Sequence, residues 1–157
     1  MEIAENIARF ARIAERYCAW AEVTTSDPEA DMKMARTLLA ELHVAAIGLD
    51  DIGCGDDTEQ VVSSEDWHVI LERFQALPID LYWDVFDPLK EEPPVLNSLS
   101  DDLADMYRDI KEGMVLYKRA KIVEAVWEWR FNFHIHWGAH LTGAQRAIHS
   151  YLADKSY

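Results

Sequence analysis

From Lys121 to Leu152 the chain reads as one helix that is apolar on most of its sides, and a helix of that kind has to sit among others rather than on a surface. This run sets the architecture. Its middle, Trp127 to His140, packs aromatic bulk and ionisable groups together: Trp127, Glu128, Trp129, Arg130, Asn132, His134, His136, Trp137 and His140. At 100° per residue, Trp129, Asn132, His136 and His140 share an arc with Ala125, Gly143 and Ala147. His134 projects to the opposite side.

Four further apolar stripes can pack against this helix. Ile3, Ile7, Phe10, Ala14, Tyr17 and Ala21 mark the first, against a charged face of Glu2, Glu5, Arg9, Arg12 and Glu15. Thr24 to Glu29 combines a capping residue with Pro28 at a helix start, and Met32, Ala35, Leu38, Leu39, Leu42, Ala45, Ala46 and Leu49 follow as the second stripe. The link is short, so the two helices should run antiparallel. A third helix follows Ser63 and Ser64, burying Trp67, Ile70, Leu71, Phe74 and Leu77, and Pro78 stops it. Ser100, Asp101 and Asp102 open a fourth, with Leu103, Met106, Tyr107, Ile110, Met114 and Tyr117 buried.

Between these lie an acidic loop, 50–66, and a Pro-rich linker, 88–99. The loop lacks the ligand spacing of a calcium hand and is read as plain surface. Residues 79–87 fit neither a helical nor a strand period cleanly and are expected to form a helical turn or an extended segment pinned by its aromatics; no convincing strand or repeat is evident. The expectation is a single all-α domain over 1–157: an antiparallel bundle of about five helices with a long central C-terminal helix.

Fifteen basic residues against twenty-nine acidic ones give a formal charge of −14. Such a field repels phosphate backbones and anionic membranes, which argues against nucleic acid and lipid and favours a basic protein partner. Cys18 and Cys54 are isolated, as in a reducing compartment, and the acidic N-terminus is unlike a secretory signal. No apolar run reaches the roughly 20 residues a membrane helix needs. A cytoplasmic protein is expected.

Two clusters can carry chemistry. His136 and His140, one turn apart, are either hydrogen-bonded core groups or ligands of one Zn, Fe, Ni or Mn ion. Asp102, Asp105 and Asp109 lie along one side of a helix and repel one another, so something offsets them: Arg108 or Lys111 at the surface, Arg130 across the interior, or a divalent cation. Asp102 and Asp109 border the apolar stripe, whereas Asp105 and Glu112 point away from it. The expected metal set is therefore His136, His140, Asp102 and Asp109. Asp84, Asp87, Glu128, Arg130 and Asn132 are polar groups set among apolar residues, and Arg130 should meet one of Asp84, Asp87, Asp102 or Asp109. With Trp83, Trp127 and Trp137 as walls they would form a polar pocket in the core.

Known site patterns are mostly missing. Paired Glu-x-x-His motifs of di-iron bundles, a His-Asp dipeptide, a phosphate loop, a nucleophile elbow and His-Glu-x-x-His are all absent. Taken together, Tyr82 to Leu89, Asp101 to Gly113 and Trp127 to His140 resemble a bacterial family catalogued as a domain of unknown function, DUF5063. That resemblance implies a bacterial, cytoplasmic, all-α protein and no particular activity. Composition favours a non-catalytic binding or regulatory module, of the immunity or antitoxin kind, with an acidic surface for a basic partner. The alternatives are a divalent-metal-dependent hydrolase with its His/Asp site inside the bundle, and a small-ligand sensor with a tryptophan-lined pocket.

Overall fold

The structure is a computed structural model that describes residues 1–56 and 60–155. Residues 57–59 of the acidic loop 50–66 lie outside the described residues. Helices α1 (Glu2–Ala21) and α2 (Pro28–Ile47) run antiparallel, since Asn6, Arg16 and Trp20 of α1 meet Asp50, Glu41 and Asp31 in that order. Asp27 caps α2 by accepting from the Ala30 N–H at 3.0 Å, with Pro28 at its first position. Ser63 does the same for α3 (Ser64–Gln75), so residues 64–66 are helix rather than loop.

Two short strands form, one in the segment expected as a helical turn or extended piece and one in the expected linker. β1 (Leu81–Asp84) pairs antiparallel with β2 (Val95–Ser98), Tyr82 opposite Asn97, so part of the expected 88–99 linker is strand. The strand period was hidden because its usual polarity is inverted. Leu81 and Trp83 face solvent, while Tyr82 and Asp84 turn inward.

α4 (Leu99–Lys118) begins one residue before the expected cap: Ser98, not Ser100, accepts from the Asp101 N–H. Asp80 holds this junction through the Ser98 hydroxyl and both the N–H and hydroxyl of Ser100. Burial works against its charge, but those bonds from Ser100 and Ser98 prevail and its pKa is lowered. The last rod is continuous in backbone but not in type: α5 (Ile122–Asn132), a π-helical turn at Phe133–Trp137, then α6 (Gly138–Asp154). It lies antiparallel to α4, with Trp129 at Ile110, His136 at Asp109 and His140 at Asp102.

The core is a single cluster drawn from every helix, in which the Phe10 ring packs at a tilt against both Trp129 and Trp137. Each buried indole N–H has a carbonyl: Trp129 donates to Ile110 and Trp137 to Trp129, both at 3.0 Å. Asp31 and Arg73 form a buried ion pair at 2.7 Å that ties α2 to α3. Among the described residues no helix is long and apolar enough to cross a membrane.

Close approach of α4 and α5 depends on Gly113, where a Cβ would overlap the Trp129 Nε1. That indole is fully buried and hydrogen-bonded, so it has nowhere to move. Gly113→Ala is expected to cost about 2 kcal/mol by overpacking, read as a lower denaturation midpoint. Asp80→Ala should lower stability at neutral pH by about 2 kcal/mol through lost charge-assisted bonds. Because the folded pKa is lowered, that contribution is present above the ordinary carboxylate range and lost as pH falls through the folded value. Wild type and Asp80→Ala should therefore converge in stability at low pH.

Candidate metal centre

The aspartates of α4 and the histidines of the last rod meet near the middle of the molecule. His140 Nδ1 lies 2.7 Å from Asp102 Oδ1, and His136 Nδ1 lies 2.6 Å from Asp109 Oδ2. An ionised carboxylate only accepts, so each Nδ1 carries its hydrogen and, in the neutral ring, each Nε2 is a bare lone pair. These two nitrogens face each other at 3.2 Å. Asp105 Oδ2 completes a triangle, 3.3 Å from His140 Nε2 and 3.6 Å from His136 Nε2. Its other oxygen, Oδ1, is held by the Trp67 indole N–H and by Arg108, each at 3.0 Å.

With both rings neutral, three acceptor atoms converge with no donor between them. In a tetrahedral ion with bonds of about 2.0–2.1 Å, neighbouring ligand atoms sit about 3.3–3.4 Å apart, which matches this triangle. Each ligand is oriented from behind by a carboxylate, an indole or a guanidinium, the arrangement that fixes tautomer and raises basicity at metal sites. The side chains of His136, His140 and Asp105 retain 35%, 22% and 15% exposure, so the cluster is not sealed from solvent. Burial alone would lower the pKa of His140, but the hydrogen bond and charge of Asp102, with Asp105 and Asp101, outweigh it and the pKa is raised. Burial raises that of Asp109 despite His136 beside it.

The local helix geometry delivers these atoms. In the π turn the Gly138 N–H reaches Phe133 O, five residues back, and a Cβ at 138 would collide with that oxygen. Single π turns of this kind are common at functional sites. From the hairpin, Tyr82 donates to Asp102 Oδ2 at 2.5 Å, passing over α6 where Gly143 leaves room. Burial and that bond raise the phenol's pKa.

The placements change several expectations. Asp102 and Asp109 back the histidines instead of joining the triangle, and Asp105, expected to point away, supplies the third atom. His136 and His140 are half-buried, and their arc is shifted by the π turn. Arg130 pairs with Asp51 at 3.1 Å, not with Asp84, Asp87, Asp102 or Asp109. The α4 row is offset by Arg108 and the two histidines, while Lys111 goes to Glu22. Asp87 meets Lys90 on the surface side, and Asp84 caps the Val85 N–H. Glu128 is buried and accepts from Asn132 at 2.7 Å, its pKa raised by burial.

No common pocket gathers the tryptophans. Trp83 is 69% exposed on the hairpin, Trp127 stacks on Phe131, and Trp137 is in the core. Sequence reasoning missed the roles of Tyr82 and Trp67. Only the inverted polarity of the hairpin pointed to Tyr82, and Trp67 has the spacing of any other apolar residue on the stripe of α3.

Tyr82→Phe should cost about 1–2 kcal/mol by leaving Asp102 one bond short. Gly143→Ala should also destabilise, because its Cβ would lie 2.6 Å from the Tyr82 hydroxyl. Removing that hydroxyl makes room, so the double variant should lose less than the sum of the two. Additive losses in a double-mutant cycle would disprove the contact.

The fold recurs elsewhere. Protein BF1032 from Bacteroides fragilis, a crystal structure, superposes with a TM-score of 0.77 at 23% identity, over 97% of this chain and 92% of that one. Among curated proteins no match is found. The sequence profile of a domain of unknown function, DUF5063, matches residues 1–154. The chain belongs to that family.

Proposed function

We propose that the protein is a divalent-metal-dependent hydrolase, with one ion on His136 Nε2, His140 Nε2 and Asp105 Oδ2. The convergence of these three lone pairs within 3.6 Å carries the reading. Left alone they repel one another; a shared cation removes that repulsion. Two imidazoles and one carboxylate suit Zn, Mn, Fe or Co, and are a poor match for calcium, which takes six to eight oxygens. Three protein ligands in a cluster not sealed from solvent are the pattern of a catalytic ion rather than a structural one. Held by these three residues, such an ion would supply water activation for hydrolysis of a carbonyl or phosphoryl compound. Asp102 and Asp109 keep the rings in the metal-binding tautomer. The alternative of a non-catalytic acidic module for a basic partner is supported by the charge of −14 and makes no use of these nitrogens.

Calorimetric titration of Mn or Zn into protein freed of any affinity tag tests this. Wild type should bind one equivalent. Asp105→Asn should lose at least tenfold in affinity, about 1.4 kcal/mol. Asp102→Asn should lose on the order of 10- to 100-fold through misorientation of His140. Absence of saturable heat, or equal affinity in wild type and Asp105→Asn, would overturn the proposal.

A further inference from the structure

A cavity of about 260 Å³ opens beside the triangle, between the start of α3 and the middle of α4, lined in part by Ser63, Ser64, Trp67, His68 and Arg108. We propose that it binds anionic oxygens of the substrate, carboxylate or phosphate, on Arg108. The inference rests on the metal reading only in placing that anion next to a water-activating ion.

The polarity of the lining is the first argument. The chain has about two acids for every base, yet among the described residues no carboxylate lines this cavity and one guanidinium does. The two serines add hydroxyl donors. His68 Nδ1 donates to the Ser64 carbonyl at 2.6 Å, so in the neutral ring its Nε2 is an acceptor and the donors to an anion are Arg108 and the serines.

The second argument is the way Arg108 is held. Its Nη2 meets Asp105 Oδ1 at 3.0 Å and its Nε lies 4.0 Å from Asp109 Oδ1. A guanidinium has five N–H groups in one plane, and these contacts engage only part of them. The side chain is 32% exposed, so a planar or tetrahedral oxyanion can reach it.

Third, the cavity and the centre share a wall. Trp67 lines the cavity and donates its indole N–H to Asp105 Oδ1, whose other oxygen belongs to the triangle. A cation on Oδ2 draws charge from Asp105 and loosens its hold on Arg108, which favours an incoming anion. Metal and anion should therefore each strengthen the other's binding, by the same factor.

Methylphosphonate and propionate, titrated by calorimetry into Mn-loaded and metal-free protein, test the assignment. At least one probe should saturate a single site in wild type, and bind more tightly with Mn present. The tighter of the two identifies a phosphoryl or a carboxylate substrate. Arg108→Gln should weaken the anion at least tenfold in metal-free protein, where the loss of the group that orients Asp105 cannot act through the ion. Arg108→Lys should recover part of the anion affinity. On anion addition, the Trp67 indole N–H resonance should shift in wild type. Equal anion affinity in wild type and Arg108→Gln, or no saturation by either probe with or without Mn, overturns the proposal. If Mn fails to bind while the anion still depends on Arg108, the metal reading falls and the cavity assignment stands.

Discussion

Three carboxylates on one face of α4, Asp102, Asp105 and Asp109, are packed against the last rod, and their charge has to be answered within a few ångströms. Like charges on adjacent helical turns repel, and partial burial removes the water that would screen them. The fold answers with His140 for Asp102, His136 for Asp109, and Trp67 with Arg108 for Asp105. Each partner comes with geometric consequences. The two histidines are turned by their carboxylates so that their remaining nitrogens face each other and the free oxygen of Asp105. What begins as hydrogen bonding to the carboxylates ends, in the neutral rings, as a set of converging lone pairs.

This arrangement needs α4 and the last rod closely packed and in fixed register. Gly113 sets the approach at one end by admitting Trp129, whose indole N–H closes onto Ile110. At the other end Gly143 admits the Tyr82 hydroxyl, which reaches Asp102. Between them the π turn changes the helical phase across Phe133–Trp137, and Gly138 is the residue that lets the wide turn close onto Phe133. A bundle held this tightly can orient ligands without loops, as sites built on rigid elements do.

The surroundings divide into two sides with different chemistry. Towards the hairpin, Tyr82 and Asp80 tie β1 to the start of α4, so that Asp102 is positioned by a strand as well as by its own helix. Towards α3, Trp67 and Arg108 bind the same oxygen of Asp105 and separate the ligand triangle from a cavity free of carboxylates among the described residues. Near Asp109 the acids accumulate again: Glu112, whose pKa burial and the charges of Asp109 and Glu128 push up to about 7, and the buried Glu128.

Helical periodicity alone determined the all-α class and the stripes of the helices, because burying one face of an amphipathic helix leaves a local signature; the last rod was expected at the centre, yet α4 is the helix packed against most of the others, and Phe131 and Ile135 of the rod are exposed. The same periodicity singled out His136 and His140 and the aspartate row. It misjudged which aspartate faces the histidines, because Asp105 reaches the triangle only after a π turn has altered the phase of the opposite helix. It also missed the hairpin, where polar residues point inward to serve the site and so invert the pattern by which strands are read. Arg130 was expected in the interior for its apolar neighbours, yet its length lets it reach Asp51 at the surface. Which residues share a helix face is a property of the chain alone; which atoms of two faces meet depends on register between helices, and only tertiary packing decided that.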